Sequence, residues 1–95
     1  MATIDIARPH TLTKEEAKKR AEELAKGMQE KLGIVWNWVG DVIEFKVPSG
    51  AAKGAEGKVR VSDRDVRVEV DLPFMLKMMK GAVESKIQEK LKDLL

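Results

Sequence analysis

Residues 34–47, IVWNWVGDVIEFKV, restrict the fold more than any other stretch of this chain. Gly40 and Asp41 sit between two runs rich in β-branched and aromatic residues, the mark of a two-residue hairpin turn. Such a turn fixes the pairing on both sides. Trp38 falls opposite Ile43, Trp36 opposite Phe45 and Ile34 opposite Val47, so these large residues share one face while Asn37, Glu44 and Lys46 share the other. A hairpin with one dry face needs a second layer to cover it.

The same logic finds a second hairpin. The turn SDRD pairs Val61 with Val66 and Val59 with Val68, and leaves Lys58, Arg60, Arg67 and Glu69 toward water. Between the hairpins, PSGAAKGAEG (48–57) reads as a mobile loop. At the other end, Ile4 and Ile6 alternate with polar residues, and Pro9 stops that short first strand.

Two helices supply the covering layer. Thr13 and Glu16 form a capping box, Leu12 and Ala17 stand at hydrophobic-staple spacing, and Ala17, Ala21, Leu24, Ala25, Met28 and Leu32 make an apolar stripe that ends at Gly33. After the second hairpin, Asp71 is placed to cap and Pro73 to occupy the first helical position, and a helical pattern of about six turns runs to Leu95. The order is strand, helix, four strands, helix. The expected fold is a single α+β domain over 1–95: two layers, an antiparallel sheet of about five strands, both helices on one face. Which strand neighbours the first is left open.

Composition removes several functions. The chain has no cysteine and one histidine, so disulfides, thiol chemistry and the common zinc constellations are not expected. Eighteen basic and sixteen acidic residues are interspersed for a net charge of +2, without the basic stripe of a nucleic-acid binder. Apolar runs are too short to span a membrane, and the N-terminus has neither the basic start nor the apolar stretch of a secretory signal, so a cytoplasmic protein is expected.

The second helix carries a surplus. On a wheel at roughly 100° per residue, Leu76, Met79, Val83, Ile87, Leu91 and Leu94 form the core stripe. Phe74, Met75, Met78 and Ala82 fall on a separate patch that exists only in the first turns, and Ser85, Lys86 and Glu89 replace it farther on. A helix resting on a sheet needs one apolar face. The patch can fill a gap within the fold, bury itself in a homodimer, or touch an irregular apolar surface, for which flexible thioethers suit.

Other candidates carry less chemistry. His10 follows Pro9 with no carboxylate at dyad or metal spacing, which suits a turn or capping role. Gly50, Gly54 and Gly57 have the wrong spacing for a nucleotide loop and precede a strand. Trp36, Trp38 and Phe45 could line a ligand pocket in a concave sheet, although their register puts them beneath the helices. Glu15 with Lys19 and Glu16 with Arg20 stand at i,i+4 on a solvated helix face.

Taken together, IDIARPH, EEAKKRAEELA, WNWVGDVIEF, GKVRV, VRVEVDL and KGAVESKIQEKL give a chain that resembles, over nearly its whole length, the polyhydroxyalkanoic acid system (polyhydroxyalkanoate granule-region) family of small bacterial proteins. It departs from that family's usual pattern in the alanine- and glycine-rich loop and in PFMLKMMKG. The resemblance implies a setting in storage-polyester metabolism and supplies no catalytic residues. The expectation is a non-enzymatic accessory protein, without cofactor or metal. It would bind the polyester granule surface or its coat proteins through Phe74, Met75, Met78 and Ala82. The alternative is a homodimeric or small apolar-ligand-binding module.

Overall fold

In the computed structural model, which describes residues 3–50 and 53–95, the elements follow the expected order. They are β1 (Ile4–Pro9), α1 (Lys14–Leu32), β2 (Val35–Val39), β3 (Val42–Lys46), β4 (Glu56–Val61), β5 (Asp65–Asp71), a 3-10 helix η1 (Phe74–Met79) and α2 (Lys80–Leu94). The strands form one antiparallel sheet in the order β1-β5-β4-β3-β2. This settles the position of the first strand, whose neighbour is β5, with Ile4 facing Val70 and Ile6 facing Val68.

Both hairpins adopt the register that their turns dictate. Trp36 pairs with Phe45 and Trp38 with Ile43, and Val59 pairs with Val68 and Val61 with Val66. Gly40, at φ +63°, takes the left-handed conformation that lets a two-residue connection follow the twist of the strands. Ile34 and Val47 are both buried just beyond the paired ladder.

The core lies between the sheet and the helices. Ile4, Ile43, Val59, Val66 and Val68 come from the sheet, Ala17, Ala21, Leu24 and Ala25 from α1, and Ile87 and Leu91 from α2. Three alanines on α1 let its backbone lie close to the strands. The stripe on α1 is shorter than its spacing suggests, because Leu32 in the last turn is exposed. At the start of α1, Thr13 Oγ1 accepts from the N–H of Glu16, and at its end Gly33 bonds back to the carbonyl of Gln29. Its charged face pairs as Arg20–Glu23 and Glu22–Lys26 in place of the expected Glu15–Lys19 and Glu16–Arg20.

The segment expected to be a mobile loop is partly structured. Val47 N–H donates to the carbonyl of Ala55 and Gly54 N–H to that of Val47, Ala55 is buried, and β4 has begun by Glu56. The part of that expectation resting on Ala51 and Ala52 lies outside the described residues.

Helix two differs from its expected form. It is not one α-helix from Pro73 but a six-residue 3-10 segment followed by α2. Asp71 does not cap; it ends β5, and Pro73 stands at the cap position with no side-chain acceptor to offer. A helix start whose first N–H groups lack such an acceptor closes on its own carbonyls one residue sooner, and the N–H of Leu76 donates to Pro73 at 2.8 Å.

Candidate functional site

Leu72 anchors the approach to η1. Its side chain is buried and its N–H donates to Thr3 Oγ1 at 3.2 Å. From there the chain turns into the 3-10 segment, in which residues three apart eclipse one another. Three rows result: Phe74 with Lys77, Met75 with Met78, and Leu76 with Met79. Only the last approaches the body of the protein, and only Leu76 of that row packs against the core.

The consequence is a cluster of large apolar side chains in water. Phe74 and Met75 are each 86% exposed and Met78 is 95% exposed. Met79, expected on the core stripe, is 54% exposed, because the wheel assumed α-helical phase where the chain follows the tighter 3-10 turn. Ala82, in the first turn of α2, is exposed as well and prolongs the patch. The four predicted patch residues therefore lie within nine positions on one outward-facing segment, and Met79 joins them. Lys77 and Lys80 are exposed within the same stretch.

The three aromatics singled out on the first hairpin do not form one pocket. Trp36 and Trp38 lie half-buried on the helix side of β2, where their indole N–H groups donate to Gln29 Oε1 at 2.9 Å and Glu22 Oε1 at 3.1 Å on α1. Lys18 Nζ stands 4.8 Å from the centre of the Trp38 ring. The hollow beside Trp38 is about 190 Å³, less than a small-molecule site ordinarily needs. Phe45, by contrast, borders a depression of about 520 Å³ walled by Glu44, Lys46, Lys58 and Arg60. That wall is charged, which does not suit an apolar ligand.

His10 braces the fold. Its Nδ1 accepts from the N–H of Leu12, which leaves the ring proton on Nε2 to donate to the carbonyl of Ser62 at 2.9 Å. Its own N–H donates to Arg64, so one residue ties the end of β1 to the turn of the second hairpin.

Residues 4–95 match the family model described as putative polyhydroxyalkanoic acid system protein. The chain belongs to this family. Neither a curated protein nor a solved structure matches it.

In this member of the polyhydroxyalkanoic acid system family, several charges on the sheet and α1 pair with one another. On the open face of the sheet, Arg67 binds Asp5 through two bonds of 2.6 and 2.8 Å, Arg60 binds Glu69 at 2.7 Å, and Lys58 approaches Glu44 at 3.8 Å. The hydrogen bond from Arg67 holds the Asp5 carboxyl below its ordinary value and raises Arg67 in turn. Near α1, a bond from Lys14, aided by Lys18 at 3.4 Å, lowers Asp41, and the bond from the Trp38 indole lowers Glu22. With eighteen basic and sixteen acidic residues the overall charge is close to balanced, which gives little net attraction for a polyanion. Among the described residues there is no group of three acidic or histidine side chains placed to hold a metal, and no helix is long and apolar enough to cross a membrane.

Proposed function

We propose that this chain is a non-enzymatic accessory protein of the polyhydroxyalkanoate system that works in the cytoplasm and rests on the polyester granule surface through Phe74, Met75, Met78, Met79 and Ala82. The observation that carries the reading is the exposure of Phe74, Met75 and Met78, at 86%, 86% and 95%, on a short segment that the core does not need. The family membership supplies the setting. A polyester offers methylene and methyl groups interrupted by ester carbonyls. Thioethers conform to an irregular apolar surface, and the ammonium groups of Lys77 and Lys80 can donate to carbonyls beside it.

Magnitudes set the mode of binding. Desolvating the four large side chains yields roughly 6 to 12 kcal/mol gross, at 1.5 to 3 kcal/mol each. Association costs about 4 to 15 kcal/mol. One chain therefore binds weakly, and useful coverage requires many chains on one surface or more than one patch per particle.

The test is co-sedimentation of the purified protein with bare synthetic polyester particles and with native granules. We expect binding to the bare polymer, reduced at least about tenfold by Met78→Asp. The same substitution should leave stability within about 0.5 kcal/mol of the parent, because the residue is almost wholly exposed. Binding only to native, coated granules would move the partner to the coat proteins. Binding to neither would sink the proposal.

A further inference from the structure

We propose that two copies of this chain pair edge to edge through β2, antiparallel about Asn37, into a ten-stranded sheet. The sheet ends at β1 on one side and β2 on the other. An edge strand presents a row of backbone groups ready to bond another chain, and proteins ordinarily blunt it with charge, proline or a bulge. β1 is blunted, since it carries Asp5 and Arg8 and ends in Pro9. β2 reads VWNWV, with no charge, no proline and regular pairing to β3. Val35 and Val39, 53% and 52% exposed, stand on the open face without apolar cover.

Self-pairing uses what this edge leaves over. VWNWV is the same read in either direction, so an antiparallel partner centred on Asn37 meets its own sequence. Val35 then faces Val39 of the second copy, Trp36 faces Trp38, and Asn37 faces Asn37.

The backbone agrees with that register. Residues in an antiparallel strand direct their N–H and C=O groups alternately to one neighbour and the other. Val39 and Val42 flank the two-residue turn and bond each other, so Val39, Asn37 and Val35 spend their backbone groups on β3. Those of Trp36 and Trp38 point outward. In the symmetric register Trp36 and Trp38 are the pairs that exchange hydrogen bonds across the dyad, while Asn37 sits at the closely spaced, unbonded position.

The flanking layer is compatible. The indole N–H groups are already held by Gln29 and Glu22 of α1, so pairing leaves no indole donor unmet, and the flank charges Glu22 and Lys26 pair at 3.5 Å within each copy. Joined five-residue strands bury less than a standard interface of about 800 Å² per partner, so a dimer with a Kd in about the micromolar range is expected.

A cysteine-free chain makes the register directly readable. Asn37→Cys puts two thiols at the unbonded pair, within disulfide reach, and mild oxidation should give a covalent dimer. Val35→Cys alone should not, because its two copies are offset by about 13 Å, whereas a mixture of Val35→Cys and Val39→Cys should cross-link. Sedimentation of the parent chain from about 1 µM to 1 mM should show monomer passing to dimer. The exposed double substitution Val35→Glu with Val39→Glu should weaken the dimer at least tenfold with an unchanged circular dichroism spectrum. A chain that stays monomeric throughout, or one that cross-links as fast at position 35 as at 37, overturns the proposal. So does loss of the dimer in Met78→Asp, which would place the contact on the methionine patch. Since Met78→Asp is expected to lose polymer binding and keep the dimer, the two readings fail separately.

Discussion

The two helices of this domain share a job and differ in how firmly the sequence assigns it. α1 has a cap at each end, with Thr13 accepting at the start and Gly33 in the left-handed conformation at the finish, and it buries four residues along one stripe. The segment from Pro73 onward has no side-chain cap, begins as 3-10 turns with no buried residue, and reaches the core through the partly buried Leu76, Val83, Leu94 and Leu95 and the buried pair Ile87 and Leu91. Where local signals and burial agree the chain makes a regular helix. Where they part, the backbone tightens, and the side chains that the core does not hold face water.

The strongest way to break this comparison is to hollow the core beneath each helix. Leu24→Ala under α1 and Leu91→Ala under α2 should each cost about 2 to 5 kcal/mol in denaturant unfolding, because both side chains are almost wholly enclosed. A much smaller loss for Leu91→Ala would mean that α2 is merely attached, and the contrast would extend along its whole length.

Caps give the next effect. Thr13→Ala should cost about 1 kcal/mol. Pro73 has almost the same backbone conformation, φ −62° and ψ 157° against −67° and 158° for Thr13, so Pro73→Ser supplies the acceptor that η1 lacks. The gain of about 0.5 to 1 kcal/mol is offset by the lost rigidity of proline, worth about 0.4 to 1 kcal/mol. Stability should therefore hardly move while the negative α-helical band of the circular dichroism spectrum deepens by about one added turn. An unchanged spectrum would show that the 3-10 geometry has another cause than the missing cap.

The smallest effect separates the helix starts by pH. Asp41, in the hairpin turn, is bonded to Lys14 and Lys18 at the beginning of α1, whereas η1 has no acidic residue in its first turn. Because the folded-state value of Asp41 is depressed below the ordinary 3.8, its contribution is complete above that value and disappears as pH falls through the depressed one. Asp41→Asn should flatten the acid limb of the stability curve and leave it unaltered near neutrality apart from a constant offset.

Much of the fold was legible because its signals are local. Gly40–Asp41 and SDRD set both registers, and period-two alternation tells the dry face from the wet one. The place of β1 beside β5 was not, since that pairing joins residues more than fifty positions apart and depends on how the layers close. Phe74, Met75, Met78 and Ala82 were found as an excess over what one helical face needs, and the structure exposes all four. Met79 was misplaced because a wheel at α-helical spacing cannot register a 3-10 run. The self-matching edge went unseen for a related reason: a palindrome in a strand matters only once that strand is known to lie at the margin of the sheet.

The methionines of η1 expose this surface to oxidation. Peroxide converts a thioether to a polar sulfoxide, which reductases reverse, and Met75 and Met78 meet solvent directly while no methionine is fully buried in the core among the described residues. Oxidant would thus make this segment more polar at Met75, Met78 and Met79 while the domain beneath it stays folded, so the chemistry of its outer face can change without the fold.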